Sequence, residues 1–293
     1  MNLREKIAKG LGEGECFSGL NFSEKESKVI IYGAPLEETV SFKKGTAKGP
    51  EAIREASKYL ETFVLGAGRE YFENAKTCDL GDLAVSGSVE EVIERIREMN
   101  EAIKAEKKVP FLLGGEHTVS VGAAKAFAAE KPVVVHFDAH ADLKEEFHGE
   151  KLCHATAAKR ILDFVPEKNL LQLGIRSVSK KEFEFIKKKK IKTVWAEKVK
   201  ESPAKTAKAV SKFTAGKKVY LSLDIDVLDA PLVPGTGTPE PGGLSYGELM
   251  TLVGAVKGKV IGLDLVETAP DEQKITETTA ANIVYECLAR LKF

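Results

Sequence analysis

The sequence is short of several things at once, and each shortage removes a class of protein. No run approaches the ~18 consecutive apolar residues that span a bilayer, so no membrane-spanning helix is expected. The opening residues, MNLREKIAKGLGEGE, lack the apolar stretch of an export signal, which points to a cytoplasmic protein. There are only four cysteines in 293 residues, Cys16, Cys78, Cys153 and Cys287, far apart and without a CxxC pair. That argues against a zinc ribbon, gives no disulfide framework and leaves the thiols as small buried hydrophobes. A surplus of one charge is missing too. Forty-four basic and 44 acidic side chains cancel, so no global field draws nucleic acid or a membrane surface. The densest basic run, Lys187–Lys190, shares its segment with Glu182 and Glu184 and reads as a solvated helix end. Glutamine occurs twice and asparagine six times against 30% charged residues, a composition that leans towards heat tolerance.

Apolar residues make up 43% of the chain, enough for a substantial core. Eight short β-branched runs alternate with amphipathic stretches: Val29–Tyr32, Thr77–Leu80, Pro110–Leu113, Val133–Phe137, Leu170–Leu173, Thr193–Trp195, Val219–Leu223 and Val260–Leu265. Several are almost continuously apolar, as strands buried on both faces of a parallel sheet must be. Between them, Ser88 with Glu91, Ser179 with Glu182 and Ser245 with Glu248 read as capping boxes that open helices. Strand, helix, strand at this spacing predicts a single three-layer αβα domain over residues 1–293. Its central parallel sheet has about eight strands, and residues 1–27 form an N-terminal extension. No internal repeat or low-complexity linker divides the chain.

All five histidines fall between positions 117 and 154. Core fillers would scatter. His117 closes Gly114-Gly115-Glu116-His117 after one strand, and Asp138, His140 and Asp142 alternate with small or apolar residues after Val133–Phe137. Alternation aims these three at one volume, where unpaired ionisable groups are costly and a cation resolves the conflict. Asp224 and Asp226 repeat the device after Val219–Leu223. Strand ends of this kind gather ligands in open α/β sheets. Four carboxylates match the charge of two divalent ions with neutral imidazoles on His117 and His140. Hard oxygen donors with imidazole suit Mn²⁺. His136, inside the apolar run, is expected to point away as a core histidine, and His148 to be a loop residue.

GGEH, HFDAHAD, SLDIDVLD and DLVET resemble, in order, the motifs of the ureohydrolase family: arginases, agmatinases, guanidinobutyrases and formiminoglutamases. The resemblance runs from about Gly33 to the C-terminal helix and implies an arginase-like fold with two Mn²⁺ per subunit. His117, Asp138, Asp142 and Asp224 would hold one ion, and Asp138, His140, Asp224 and Asp226 the other. It further implies a metal-bridging hydroxide that attacks a guanidinium carbon, Glu267 as the guanidinium-binding acid, and His154 as the proton shuttle to the leaving amine. Glu267, His154 and the ligand Asp142 are thus the expected catalytic residues.

The segment Pro234–Gly243, the stretch DLKEEFHGEKLCHAT, and Gly45, Thr46, Gly49, Pro50, Ile53 and Arg54 are most similar to the agmatinase branch. That branch implies agmatine as substrate, urea and putrescine as products, a role in polyamine biosynthesis, and a homo-oligomer (trimer or hexamer). The Glu-rich loop Lys144–Lys151 is expected to bring acid near agmatine's ammonium tail. Glu116 replaces a usual aspartate, Ala155 and Ala157 replace a frequent glycine and proline, and Pro270–Thr276 lacks the usual glycine. The rival readings are an arginase or guanidinobutyrase acting on another guanidine, a mononuclear zinc deacylase of related fold, and a non-enzymatic metal-stabilised oligomer.

Overall fold

Every one of the eight apolar runs becomes a strand of one sheet. In the computed structural model, which describes residues 15–293, they are β1 (Val29–Ala34), β4 (Thr77–Asp82), β5 (Val109–Gly114), β6 (Val133–Phe137), β7 (Leu170–Ile175), β8 (Lys192–Trp195), β9 (Lys218–Asp224) and β10 (Lys259–Val266). A separate two-residue hairpin pairs β2 (Phe63–Val64) with β3 (Arg69–Glu70). The large sheet runs β4-β1-β5-β10-β9-β6-β7-β8, with all neighbours parallel. β1, β5, β6 and β7 are buried at every residue, which is why their sequences show no polar alternation. Alternation instead divides side chains between two cores. Val29 and Ile31 face one helical layer, while Ile30 and Tyr32 face the other. Each such side chain removed from water contributes about 1.5–3 kcal/mol, so a strand packed on both faces holds firmly without help from its edges.

The three capping boxes open helices at the expected places. They start Val89–Ala105, Lys180–Lys189 and Tyr246–Val253, each with the serine hydroxyl accepting from the glutamate backbone and the glutamate carboxylate accepting in return. Lys187–Lys189 form the last turn of their helix, and Lys190 closes it in the left-handed conformation. Of the extension expected over 1–27, residues 1–14 lie outside the described residues. The remainder is packed down, with Phe17 buried and its amide donating to Asp79 at 2.9 Å. Cys78, Cys153 and Cys287 are buried, Cys16 is partly so, and no disulfide joins any of the four. No helix among the described residues is long and apolar enough to cross a membrane.

The sheet order decides where chemistry can sit. β5, β10, β9 and β6 are adjacent at its centre, and their carboxyl ends lead into His117, Glu267, Asp224 with Asp226, and Asp138. The turn after β5 is tied beneath residues 34–36: Gly115 N donates to Ala34 O and Glu116 N to Leu36 O, both at 2.8 Å. A Cβ on Gly115 would lie 2.0 Å from the Leu36 carbonyl oxygen. Gly115→Ala should therefore cost about 1–3 kcal/mol as an overpacked position. Urea unfolding read by circular dichroism checks this, and an unchanged midpoint would refute the close approach.

Candidate active site

The strand ends bring all six expected ligands together. His117 Nδ1 lies 3.1 Å from Asp138 Oδ2, 3.1 Å from Asp224 Oδ2 and 3.3 Å from Asp142 Oδ2. His140 Nδ1 lies 3.0 Å from Asp226 Oδ2 and 3.6 Å from Asp138 Oδ1. Asp138 thus faces both imidazoles. The strand itself stops at Phe137, and Asp142 reaches the group through a left-handed backbone (φ 50°) rather than by extended alternation. Asp226 lies within a single 3₁₀ turn, Ile225–Val227, where its amide donates to Asp224 Oδ1 at 2.8 Å.

His136 does not point away. Its ring stacks on His117 with centroids 5.0 Å apart, and its Nε2 lies 3.1 Å from Asp138 Oδ2. The expectation of a detached core histidine is corrected by the rule that should have prevented it: positions 136 and 138 are two apart, so a strand puts both on one side. His148 is a turn residue against Phe147, as expected.

Like charge dominates the electrostatics. Burial and neighbouring carboxylates push Asp142 and Asp224 well above the usual carboxylate range. Burial would raise Asp138 as well, but the imidazoles of His117, His136 and His140 beside it outweigh burial and hold it well below. Burial alone would lower His140, yet Asp226 and Asp138 push it up to about 12. His117 Nδ1, His136 Nε2, Asp138 Oδ2 and Asp226 Oδ2 are buried without an aligned hydrogen-bond partner, which is unusual for buried polar atoms. Oxygen and imidazole donors around that space, with no thiolate among them, fit a pair of hard divalent ions.

Glu267 and His154 line the same cavity of about 160 Å³ as His117, His140, Asp142 and Asp224. Glu267 leaves β10 with φ 61°, a strained value for a residue with a side chain. The strain is held by Glu267 N donating to Gly115 O at 2.9 Å and by His117 N donating to Glu267 Oε1 at 2.7 Å. Burial pushes the Glu267 carboxyl up to about 8. Burial also lowers His154, which keeps its ring neutral near pH 7. Its Nδ1 and Nε2 lie 3.3 Å from the hydroxyls of Thr39 and Ser41.

Glu116, the longer acid before His117, reaches across to this loop. Its carboxylate accepts from Glu38 N at 2.9 Å, Thr39 N at 2.7 Å, Thr39 Oγ1 at 2.7 Å and Thr118 Oγ1 at 2.6 Å. Having given its proton to Glu116, Thr39 Oγ1 accepts from His154 Nδ1. This places the lone pair of His154 on Nε2, on the Ser41 side. Sequence reading missed Thr39 and Ser41 because a hydroxyl in a loop carries no spacing signal. The other departures are absorbed. Ala155 and Ala157 are buried, and Asp271 caps the final helix through Ile275 N and Thr276 N.

The Glu-rich loop behaves differently from expectation. The cavity is lined from that loop by Lys144 and Phe147 and not by its glutamates. Glu145 turns outward to Lys159 at 2.7 Å and Arg160 at 3.5 Å, and Glu146 lines a separate hollow with Glu182. Cationic partners on the helix beneath capture the acid that composition assigned to the substrate tail.

Residues 27–289 match the arginase family. The chain belongs to that family. It is 38% identical over 287 residues to the agmatinase of Bacillus cereus, covering 94% of this chain and 97% of that protein. It is 34% identical over 268 residues to the N(1)-aminopropylagmatine ureohydrolase of Thermococcus kodakarensis, covering 89% and 90%. The crystal structure of the agmatine ureohydrolase of Thermoplasma volcanium superposes with a TM-score of 0.87 at 31% identity, covering 98% of this chain and 97% of that one. The eight-stranded parallel sheet between helices is thus an arginase-family fold.

A pH test follows from Glu267. Its folded carboxyl holds a proton from the ordinary 4.5 up to about 8, whereas the unfolded chain has released it. Folding therefore binds a proton across that window, and stability falls as pH rises through it. In chelator-stripped protein, Glu267→Gln should gain stability over the wild type progressively between those values and hold a constant advantage above. Denaturant titrations at successive pH values measure this, and a constant difference across the window would overturn it.

Proposed function

We propose that this arginase-family hydrolase holds two Mn²⁺ ions and cleaves agmatine to urea and putrescine. The observation that carries the metal reading is the buried convergence of His117, Asp138, His140, Asp142, Asp224 and Asp226, in which each of the two imidazoles has a nitrogen 3.0–3.6 Å from the carboxylates it faces. The substrate reading is supported by the agmatinase of Bacillus cereus and the agmatine ureohydrolase of Thermoplasma volcanium. His117, Asp138, Asp142 and Asp224 would hold one ion, and Asp138, His140, Asp224 and Asp226 the other. Such a pair supplies a water whose pKa falls from ~15.7 towards ~7, a nucleophile available near neutral pH.

The chain's own side chains supply the rest. Glu267 binds the planar guanidinium. Its Oε1 is committed to His117 N, while Oε2 borders Gly237, where a Cβ would come within 3.0 Å. A cation there favours the ionised carboxylate, so the raised pKa of the empty pocket becomes a means of recognising positive charge. His154 is neutral with the lone pair of Nε2 facing the Ser41 hydroxyl at 3.3 Å, the form that takes up one proton and returns it. When the C–N bond to the alkyl nitrogen breaks, that nitrogen keeps the electron pair and needs a proton, which His154 is positioned to deliver. Phe147 packs edge-on against the His154 ring at 5.8 Å and limits its rotation. A cytoplasmic homo-oligomer acting in polyamine biosynthesis is the setting we infer for this reaction.

Chelator-stripped protein reloaded with Mn²⁺ should release urea from agmatine faster than from arginine, guanidinobutyrate or N(1)-aminopropylagmatine. Urea mainly from another member of that panel would overturn the substrate, and urea from none would overturn the reaction. His154→Asn should lower kcat by about 10²–10⁴ with little change in KM, the loss typical of a proton-transfer group. The reload has its own signature. Free Mn²⁺ at 100 times the Kd of each site should add about 2.7 kcal/mol per bound ion to unfolding stability, and no gain in thermal midpoint would argue against the cage.

A further inference from the structure

His117 and His136 stack face to face beside the same carboxylates, yet their far edges meet different chemistry. One lateral row of polar side chains crosses the sheet in register beneath the site: Thr193 on β8, Gln172 on β7, His136 on β6, Ser222 on β9 and Asp264 on β10. Burying a polar row in the middle of a parallel sheet is costly unless every member is bonded. Here the bonds are directional, and they fix where each imidazole carries its proton.

On the Asp264 side, Ser222 Oγ gives its single proton to Asp264 Oδ1 at 2.8 Å, and the Tyr220 hydroxyl occupies the other carboxylate oxygen. Ser222 then has only lone pairs left for His117 Nε2 at 3.1 Å, so His117 carries its proton on Nε2. Its Nδ1, the nitrogen left free to take an ion, faces Asp138, Asp142 and Asp224. That is the tautomer of a ligand.

On the Thr193 side the polarity is opposite. Gln172 Nε2 lies 2.7 Å from the Ala141 carbonyl oxygen, and Gln172 Oε1 accepts from the Thr193 hydroxyl at 3.2 Å. Reversing the amide would set two oxygens against each other at Ala141, so its orientation is determined. The second proton on Gln172 Nε2 is directed at His136 Nδ1, 3.3 Å away. His136 Nδ1 is therefore an acceptor, and the proton belongs to Nε2, the atom 3.1 Å from Asp138 Oδ2.

We propose that His136 is a positioning residue. Held by Gln172 with its proton on Nε2, it sets that N–H 3.1 Å from Asp138 Oδ2, close enough to act on its charge though not aligned as a hydrogen bond, orients the carboxylate shared by both ions, and is not itself a ligand. This rests on the two-ion reading above and adds to it a residue and its support, Gln172, that lie outside the six ligands.

Calorimetric titration of chelator-stripped protein with Mn²⁺ tests the proposal without any assay of turnover. Wild type should bind two ions per chain. His136→Leu should still bind two at saturation, with affinity weakened about 10–100-fold, the usual cost of losing a group that orients a ligand. His136→Gln keeps an N–H on that side and should recover most of the loss. Gln172→Leu should weaken binding in the same direction, and adding it to His136→Leu should cost little more, since both act through one bond. Unfolding midpoints measured in chelator separate these effects from a damaged fold: a core role would lower the midpoint and leave affinity alone. One ion at saturation in His136→Leu would make His136 a ligand, while undiminished affinity or failure of His136→Gln to recover it would make the imidazole a bystander. Absence of ion binding in the wild type itself would remove the two-ion reading and this proposal with it.

Discussion

Four carboxylates and two imidazoles drawn into one buried volume are the constraint on which the rest of the molecule turns. Asp138, Asp142, Asp224 and Asp226 are all nearly inaccessible to water. Isolated burial of even one ionised carboxylate is heavily unfavourable. Nothing in the local chain compels them to meet, since they come from two strand ends and face a histidine from a third. The parallel sheet compels it. Its central strands end side by side, and their burial on both faces is large enough to hold the crowd in place until opposite charge arrives. The same crowding explains why the titration of this group is so disturbed: Asp226 and Asp138 push His140 up, and burial with neighbouring carboxylates pushes Asp142 and Asp224 up.

Strain gathers at the same place. Asp142 and Glu267 have left-handed backbones, and neither is glycine. A residue with a Cβ is held there only when its surroundings over-determine it. Asp142 O accepts from Lys159 N at 2.9 Å, and Glu267 is clasped between Gly115 and His117. Both side chains thereby reach a cavity that an extended strand would have carried them past. The Glu116 carboxylate performs a related service for the loop at 38–39. It receives four donors, and Thr39, one of those held, in turn holds His154.

Much of this was legible before any coordinates. Continuous apolar runs gave all eight sheet strands, because burial on both faces writes itself directly into composition, and three capping boxes gave three helix starts. The six clustered side chains were legible because histidine and aspartate at strand ends have few structural uses. What escaped had physical reasons. The hairpin of Phe63–Val64 with Arg69–Glu70 is too short to show a period. His136 was hidden by its apolar neighbours, although its spacing from Asp138 carried the signal. The Glu-rich loop was read as facing the cavity because composition locates a charge along the chain but not its counter-ion, and Glu145 pairs instead with Lys159 and Arg160 on the next helix. Thr39 and Ser41 could not be found at all, since what matters there is the direction of a hydroxyl bond.

The two sides of the cavity are built from different material, and this bears on how such a site diverges. The ion-facing side is carried on strand ends and locked by the in-register row of Gln172, His136, Ser222 and Asp264, so a change there disturbs several partners together. The other side is carried on loops, by Ser41, Lys144, Phe147 and Thr238. Loops accept substitution at low cost to the fold and are where specificity is ordinarily revised. Relatives named for agmatine and for N(1)-aminopropylagmatine stand at 38% and 34% identity to this chain, close enough to share a sheet while handling tails of different length. A scaffold that fixes the reacting end on strands and leaves the tail to loops can change substrate without rebuilding its metal cage. Selection of the amine tail in this protein is therefore to be sought in the loops around Ser41, Phe147 and Thr238, and not among the ligands.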